Sequence, residues 1–137
     1  MTNSSNPLAI AVFCSGSGSN LQAIIDAIAA QTLYATIAIV IVNNPHAYAI
    51  KRCQHHAIPY LVIDNTLFDS RDTFEAAINQ HLQQYTFDLI VLAGFMRVLT
   101  ADFTHLYNGK LINIHPSLLP KYKGLHTHKQ ALQAQDR

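Results

Sequence analysis

Tryptophan is absent, cysteine occurs twice, and only 12% of the 137 residues are Asp, Glu, Lys or Arg. Each shortage excludes something. Cys14 and Cys53 are too few and too far apart for a disulfide framework or a zinc ribbon, and they fit a reducing cytosol. A formal net charge of +1, with histidines neutral, gives no electrostatic case for a nucleic-acid partner or an acidic membrane surface. The apolar run Leu8 to Cys14 is too short for a signal core with its flanks or for a membrane span. No basic segment precedes it, and a cytoplasmic location is expected. Scarce charge does not mean disorder here, because half of the residues are apolar and the length suits one domain with a real core.

What is present is an alternation of apolar runs and helical spacings. Residues 8–14, 36–42, 60–63, 89–93 and 111–114 read as strands rich in Val, Ile and Leu. Between them, Leu21, Ile24, Ile25 and Ile28 share one helical face, and residues 47–56 form a weaker helical pattern. Asp69 offers an N-cap for a helix carrying Phe74, Ile78, Leu82 and Tyr85. Thr100 offers another for a short helix reaching Tyr107, and a last helix is expected over 127–134. Strands apolar on both faces and alternating with helices indicate an α/β chain: a doubly wound, Rossmann-like parallel sheet with helices on both faces. Sites in that class lie at the carboxyl ends of strands near the switch point. No internal repeat, linker or low-complexity segment interrupts residues 1–137, which read as a single domain portion.

Gly16-Ser17-Gly18-Ser19-Asn20 joins the first strand to the first helix. Unpaired N–H groups and the helix dipole make such a junction a phosphate cradle. It lacks a Walker lysine, and Leu21 stands where a dinucleotide fingerprint has its third glycine. Asn43 and Asn44, not an acid, end the second strand, so a monophosphate is the expected ligand. The competing reading is a tight turn in which Ser19 or Asn20 serves only as a helix cap.

Asn113-Ile114-His115-Pro116 places a carboxamide and an imidazole two residues apart on extended chain, so both point to one side. A neutral donor beside a group titrating near neutrality suits acyl-type chemistry, in which a carbonyl oxygen gains charge and a leaving nitrogen needs a proton. A strand end followed by a proline turn, with His115 merely solvated, is the other reading. The remaining histidines offer no metal site: His55 and His56 are adjacent on a helix and diverge, and His126 and His128 lack a third ligand. Lys51-Arg52 reads as a solvated face, Asp88 as a turn or cap residue, and Arg71 as a solvated first-turn residue or a carboxylate clamp.

With these pieces in place the chain resembles the glycinamide ribonucleotide formyltransferase family of purine biosynthesis. The resemblance rests on residues 15–26, Phe68-Asp69-Ser70-Arg71, residues 91–97 and, most specifically, Leu111 to His128. Methionyl-tRNA formyltransferase and formyltetrahydrofolate hydrolase share the Asn-x-His element, but differ after His115 and lack this phosphate loop. The resemblance implies that Gly18, Ser19 and Asn20 hold the phosphate of glycinamide ribonucleotide. Arg71, Met96, Arg97, Val98, Leu99 and Asn113 would line the pocket of the co-substrate 10-formyltetrahydrofolate. His115 would be the general acid and Asn113 the oxyanion donor, with no metal involved. Family members continue past this length, through further strands and an aspartate that pairs with the histidine. Ending at Gln135-Asp136-Arg137, this chain is therefore expected to lack C-terminal strands and to expose a sheet edge open to self-association. A phosphate-binding fragment without catalysis, and a folate hydrolase, are the alternatives.

Overall fold

The computed structural model describes residues 6–114. β1, Leu8–Cys14, sends large or β-branched side chains to both faces, and such a strand is stable only in the middle of a covered sheet. Its neighbours follow suit. β2 (Ala35–Val42), β3 (Tyr60–Val62), β4 (Leu89–Leu92) and β5 (Leu111–Asn113) join it in one five-stranded sheet of order β3-β2-β1-β4-β5. Every pairing is parallel. The chain builds outward from β1 to β3 and then returns to the other side of β1 to place β4 and β5. The switch point thus falls between β1 and β4.

Alternation along β1 divides the core. Ile10, Val12 and Cys14 pack with Leu21, Ile24 and Ile25 of α1 (Ser19–Ala29) and Ala49 and Cys53 of α2 (Ala49–His55). Ala11 and Phe13 face the opposite layer, with Phe74, Ile78 and Leu82 of α3 (Arg71–Leu82) and Phe103 of α4 (Ala101–Leu106). Edge-on packing of Phe13 against Phe95, at 5.4 Å between ring centroids, carries this second layer up to the loop after β4. Burial also governs the two thiols: desolvation, with Cys53 adding to it, pushes Cys14 up to about 12, and desolvation pushes Cys53 up to about 11.

The doubly wound expectation holds, and so do all five strands, whose ends differ from expectation by one residue at most. Three local expectations need correction. Ser70, not Asp69, caps α3: its hydroxyl accepts the Thr73 N–H at 3.2 Å and the Thr73 hydroxyl accepts the Ser70 N–H, a reciprocal box that Asp69 is one residue too early to make. Tyr85 lies beyond the helix end at Leu82, though it still packs on the second core layer. His55 and His56 do not diverge; their rings meet edge to face at 4.9 Å, where α2 ends and the backbone turns. The helix expected over 127–134 lies outside the described residues.

Register brings the strand ends level. Cys14 pairs with Val42 and Val42 with Val62, while Phe13 pairs with Leu92 and Leu92 with Asn113. The loops that follow all emerge at one edge of the sheet. Asp88 is tied in at the opposite end, where its carboxylate accepts the Ala9 N–H at 2.9 Å at the start of β1.

Candidate functional site at the carboxyl edge of the sheet

The loop after β1 turns through Gly18, whose φ of 75° is open to glycine and strained for other residues. There is no room for a side chain either: a Cβ on Gly18 would lie 2.9 Å from both Cα and Cβ of Ala49. Gly18 is also the N-cap of α1, so the cap residue has no side chain for the first-turn N–H groups, although the Ser17 hydroxyl accepts the Ser19 N–H in a long bond of 3.4 Å. The reading of Ser19 or Asn20 as the cap is therefore set aside; both lie inside the helix, Ser19 exposed and Asn20 buried. What remains is a glycine-shaped entry to an 11-residue helix, with its positive dipole end at the carboxyl edge of the sheet.

The loop after β4 lies against this one. Ser15, buried at the end of β1, accepts the Met96 N–H on its hydroxyl at 2.7 Å. Gly94, at φ 75°, passes close to Asn20, whose Nδ2 is 3.9 Å from the position of a Cβ there. The far end of the loop is held by Glu75 of α3, whose carboxylate is buried and accepts both the N–H and the hydroxyl of Thr100. Thr100 in turn caps α4 by accepting the Phe103 N–H. One loop is thus fixed at both ends, and the residues between them are presented outward: Met96 is 78% exposed and Val98 69%. Arg97 and Leu99 are half-buried, Leu99 against the second core layer.

Between the loops lies an open cleft of about 490 Å³, lined by Ser15, Gly16, Asn43, Asp64, Met96 and Arg97 among others. Its polar groups are partly committed to one another. Asn43 donates to the side chain of Asn65 at 2.9 Å, whereas Asn43 Oδ1 and Arg97 Nε are buried without a partner among the described residues. Hydrogen bonds from the Thr66 hydroxyl and N–H, with help from nearby His46, hold the Asp64 carboxyl below the usual range. Among the described residues, no three His, Cys, Asp or Glu side chains come together in a metal-sized cluster.

Of the expected site residues, Gly18 lies against Ala49 and Arg52 of α2, Asn20 lies beside Gly94, and Met96 is bonded to Ser15. Asn113 closes β5, exposed, with its backbone level with Leu92 at the root of the β4 loop. Arg71 opens α3, exposed, one turn before the Glu75 that anchors that loop. His115 lies outside the described residues, as do His126 and His128. Sequence reasoning missed Ser15 and Glu75. It also misjudged Arg52, which is not a solvated companion of Lys51 but a donor to the Ser17 carbonyl at 2.7 Å. No periodicity signals such residues, because their partners lie 25 to 81 positions away.

Fold and site together define a doubly wound α/β protein with a glycine-shaped helix entry and a second loop set side by side at its switch point, where this class places its sites. The chain belongs to the formyl transferase family, whose pattern it matches over residues 8–137. It is 45% identical over 127 residues to phosphoribosylglycinamide formyltransferase of Escherichia coli, covering 93% of this chain and 60% of that one. It is 50% identical over 127 residues to the trifunctional purine biosynthetic protein adenosine-3 of Drosophila melanogaster, covering 91% of this chain and 9% of that one. Among solved structures, phosphoribosylglycinamide formyltransferase of Coxiella burnetii superposes with a TM-score of 0.77 at 50% identity, covering 94% of this chain and 61% of that one. The chain therefore spans about three fifths of the length of these single-function relatives.

Proposed function

We propose that this chain carries out formyl transfer from 10-formyltetrahydrofolate to the amine of 5′-phosphoribosylglycinamide, a step of de novo purine biosynthesis. The observation that carries this reading is the Ser15–Met96 hydrogen bond, which sets the glycine cradle and the β4 loop side by side at the switch point. A phosphorylated amine and a folate can then approach one another across that seam. In this reading Gly18, Ser19 and Asn20 hold the phosphate by helix N–H groups and dipole. Met96, Arg97, Val98 and Leu99 take the folate, Arg71 meets its acidic tail, and Asn113 serves both pocket and chemistry.

The amine attacks the formyl carbon, and the formyl oxygen gains negative charge as the carbon becomes tetrahedral. The Asn113 carboxamide N–H stabilises that oxygen. Collapse breaks the bond to the folate nitrogen, which leaves with a proton supplied through His115 as the general acid. The attacking amine loses one proton in exchange, so the transfer balances with no metal and no redox partner. Residues 1–137 contribute the cradle and the Asn113-x-His115 pair as one domain portion. Two buried thiols, neither in a disulfide, support a cytoplasmic setting. The outer edge of β5 has no strand partner among the described residues, and it is the surface along which two copies would pair.

The test is a formyl-transfer assay on the purified chain, with ribonucleotide binding measured alongside. Turnover that disappears in His115→Ala supports the reading. Turnover that survives the substitution removes His115 from its role. Ribonucleotide binding without turnover reduces the chain to a phosphate-binding module, the second reading.

A further inference from the structure

The cradle does not set its own shape; α2 grips it at three successive residues. Ala49 donates its N–H to the Gly16 carbonyl at 3.1 Å. Gly18 lies so close that an added Cβ would meet Arg52 Cδ at 3.1 Å as well as Ala49. Between them, Arg52 Nε donates to the Ser17 carbonyl at 2.7 Å. The same guanidinium donates through Nη1 to the Gln22 carboxamide oxygen on α1 at 3.1 Å and stands 4.9 Å over the Tyr48 ring. Two bonds and a ring face leave a planar fork little freedom to rotate.

That restraint has a direction. In a planar trans peptide the C=O and the following N–H point opposite ways. Pinning the Ser17 carbonyl toward Arg52 therefore turns the Gly18 N–H away from Arg52. Were that peptide to flip, as a residue with glycine's freedom allows, a carbonyl oxygen would replace an N–H in the cradle and repel an anion. We infer that Arg52 is a positioning residue for the cradle: it fixes the Ser17–Gly18 peptide in the orientation that presents N–H groups to a phosphate. This rests on the phosphate reading of the loop given above.

The experiment uses the whole chain and two variants. Arg52→Met keeps an apolar stem beside Gly18 but removes both donors and the guanidinium over Tyr48. Arg52→Lys keeps the charge but loses the fork that reaches Ser17 and Gln22 together. Amide NMR spectra are recorded without ligand and during titration with ribose 5-phosphate, with unphosphorylated ribose as control. Both variants should move the Gly18 and Ser19 amide resonances in the free protein and weaken ribose 5-phosphate binding by about tenfold or more. Wild-type affinity in Arg52→Lys would show that charge alone matters and would overturn the inference. Unmoved Gly18 and Ser19 resonances in both variants would overturn it as well. If the unsubstituted chain gives no phosphate-dependent binding, the phosphate reading fails, and the ligand-free resonances still decide whether Arg52 orients the peptide. Should Arg52→Met not fold, Arg52→Lys supplies the comparison by itself.

Discussion

Ser15 and Met96, 81 residues apart, are joined by a hydrogen bond of 2.7 Å in which a side-chain hydroxyl at the end of β1 accepts a backbone N–H in the loop after β4. This contact ties the loop after β1 to the loop after β4 across the switch point, the proposed phosphate and folate sides of the site. Replacing Ser15 with Ala leaves the Met96 N–H without its acceptor in a partly buried position. A loss of about 1–3 kcal/mol in stability is expected, together with a higher KM for the folate. Urea unfolding and steady-state kinetics check the two effects separately; unchanged values in both would remove the contact from the design of the site.

Gly18→Ala should be the most damaging single change in the cradle. The residue would hold φ at 75° with a side chain, at a cost of about 1–3 kcal/mol, and its Cβ would press on Ala49 at 2.9 Å. Loss of measurable ribose 5-phosphate binding in a titration is the expected result, with a lower midpoint on thermal unfolding. Gly16 offers a contrast: nothing lies within 4 Å of a Cβ there, so Gly16→Ala should fold as the parent does.

Glu75→Ala should loosen the loop over 95–100. The buried carboxylate takes two donors from Thr100, and its removal leaves both to find water. About 2–3 kcal/mol of stability should be lost, since bonds to a charged group are the stronger kind. Faster hydrogen exchange at residues 96–100, with α1 unaffected, is the signature to look for.

In the proposed reading Asn113→Ala should lower kcat by about 10²–10³-fold, because the oxyanion exists only in the transition state, and should raise the folate KM by a smaller factor through the lost pocket contact. Its side chain is exposed at the end of β5, so the variant should fold normally. A rise in KM with kcat unchanged would assign Asn113 to binding alone.

Alkaline pH should destabilise the fold through the two thiols. Their pKa values are raised from 9.0 to about 12 for Cys14 and about 11 for Cys53, chiefly by burial. The folded chain therefore keeps protons that the unfolded chain releases above pH 9. The stability they contribute is intact below pH 9 and declines as pH rises through about 11 to 12. Comparing urea midpoints at pH 8 and pH 10.5 for the parent and for a Cys14→Ala, Cys53→Ala double variant should show a shallower fall in the double variant.

The alternation of apolar runs and helical spacings made the fold class legible before any coordinates, and so did the glycine loop between β1 and α1. Both are local signals: side-chain period reports which faces are buried, and a glycine between strand and helix reports a turn. Local competition was harder to read. Asp69 and Ser70 are both good caps, and only the reach of Thr73 back to Ser70 separates them. Arg52 follows Lys51 in α2 and looks like its equal until the loop it grips is folded over it.

Order, class and chemistry of the pieces thus follow from the chain's own spacing: five strands, a cradle-shaped junction, and a carboxamide two residues before an imidazole. Their meeting does not. Ser15 reaches Met96, Glu75 reaches Thr100 and Arg52 reaches Ser17 because parallel pairing brings the strand ends level and the return crossover sets β4 beside β1. Those contacts span 81, 25 and 35 residues. No periodicity extends that far, and only packing of the whole sheet fixes such distances.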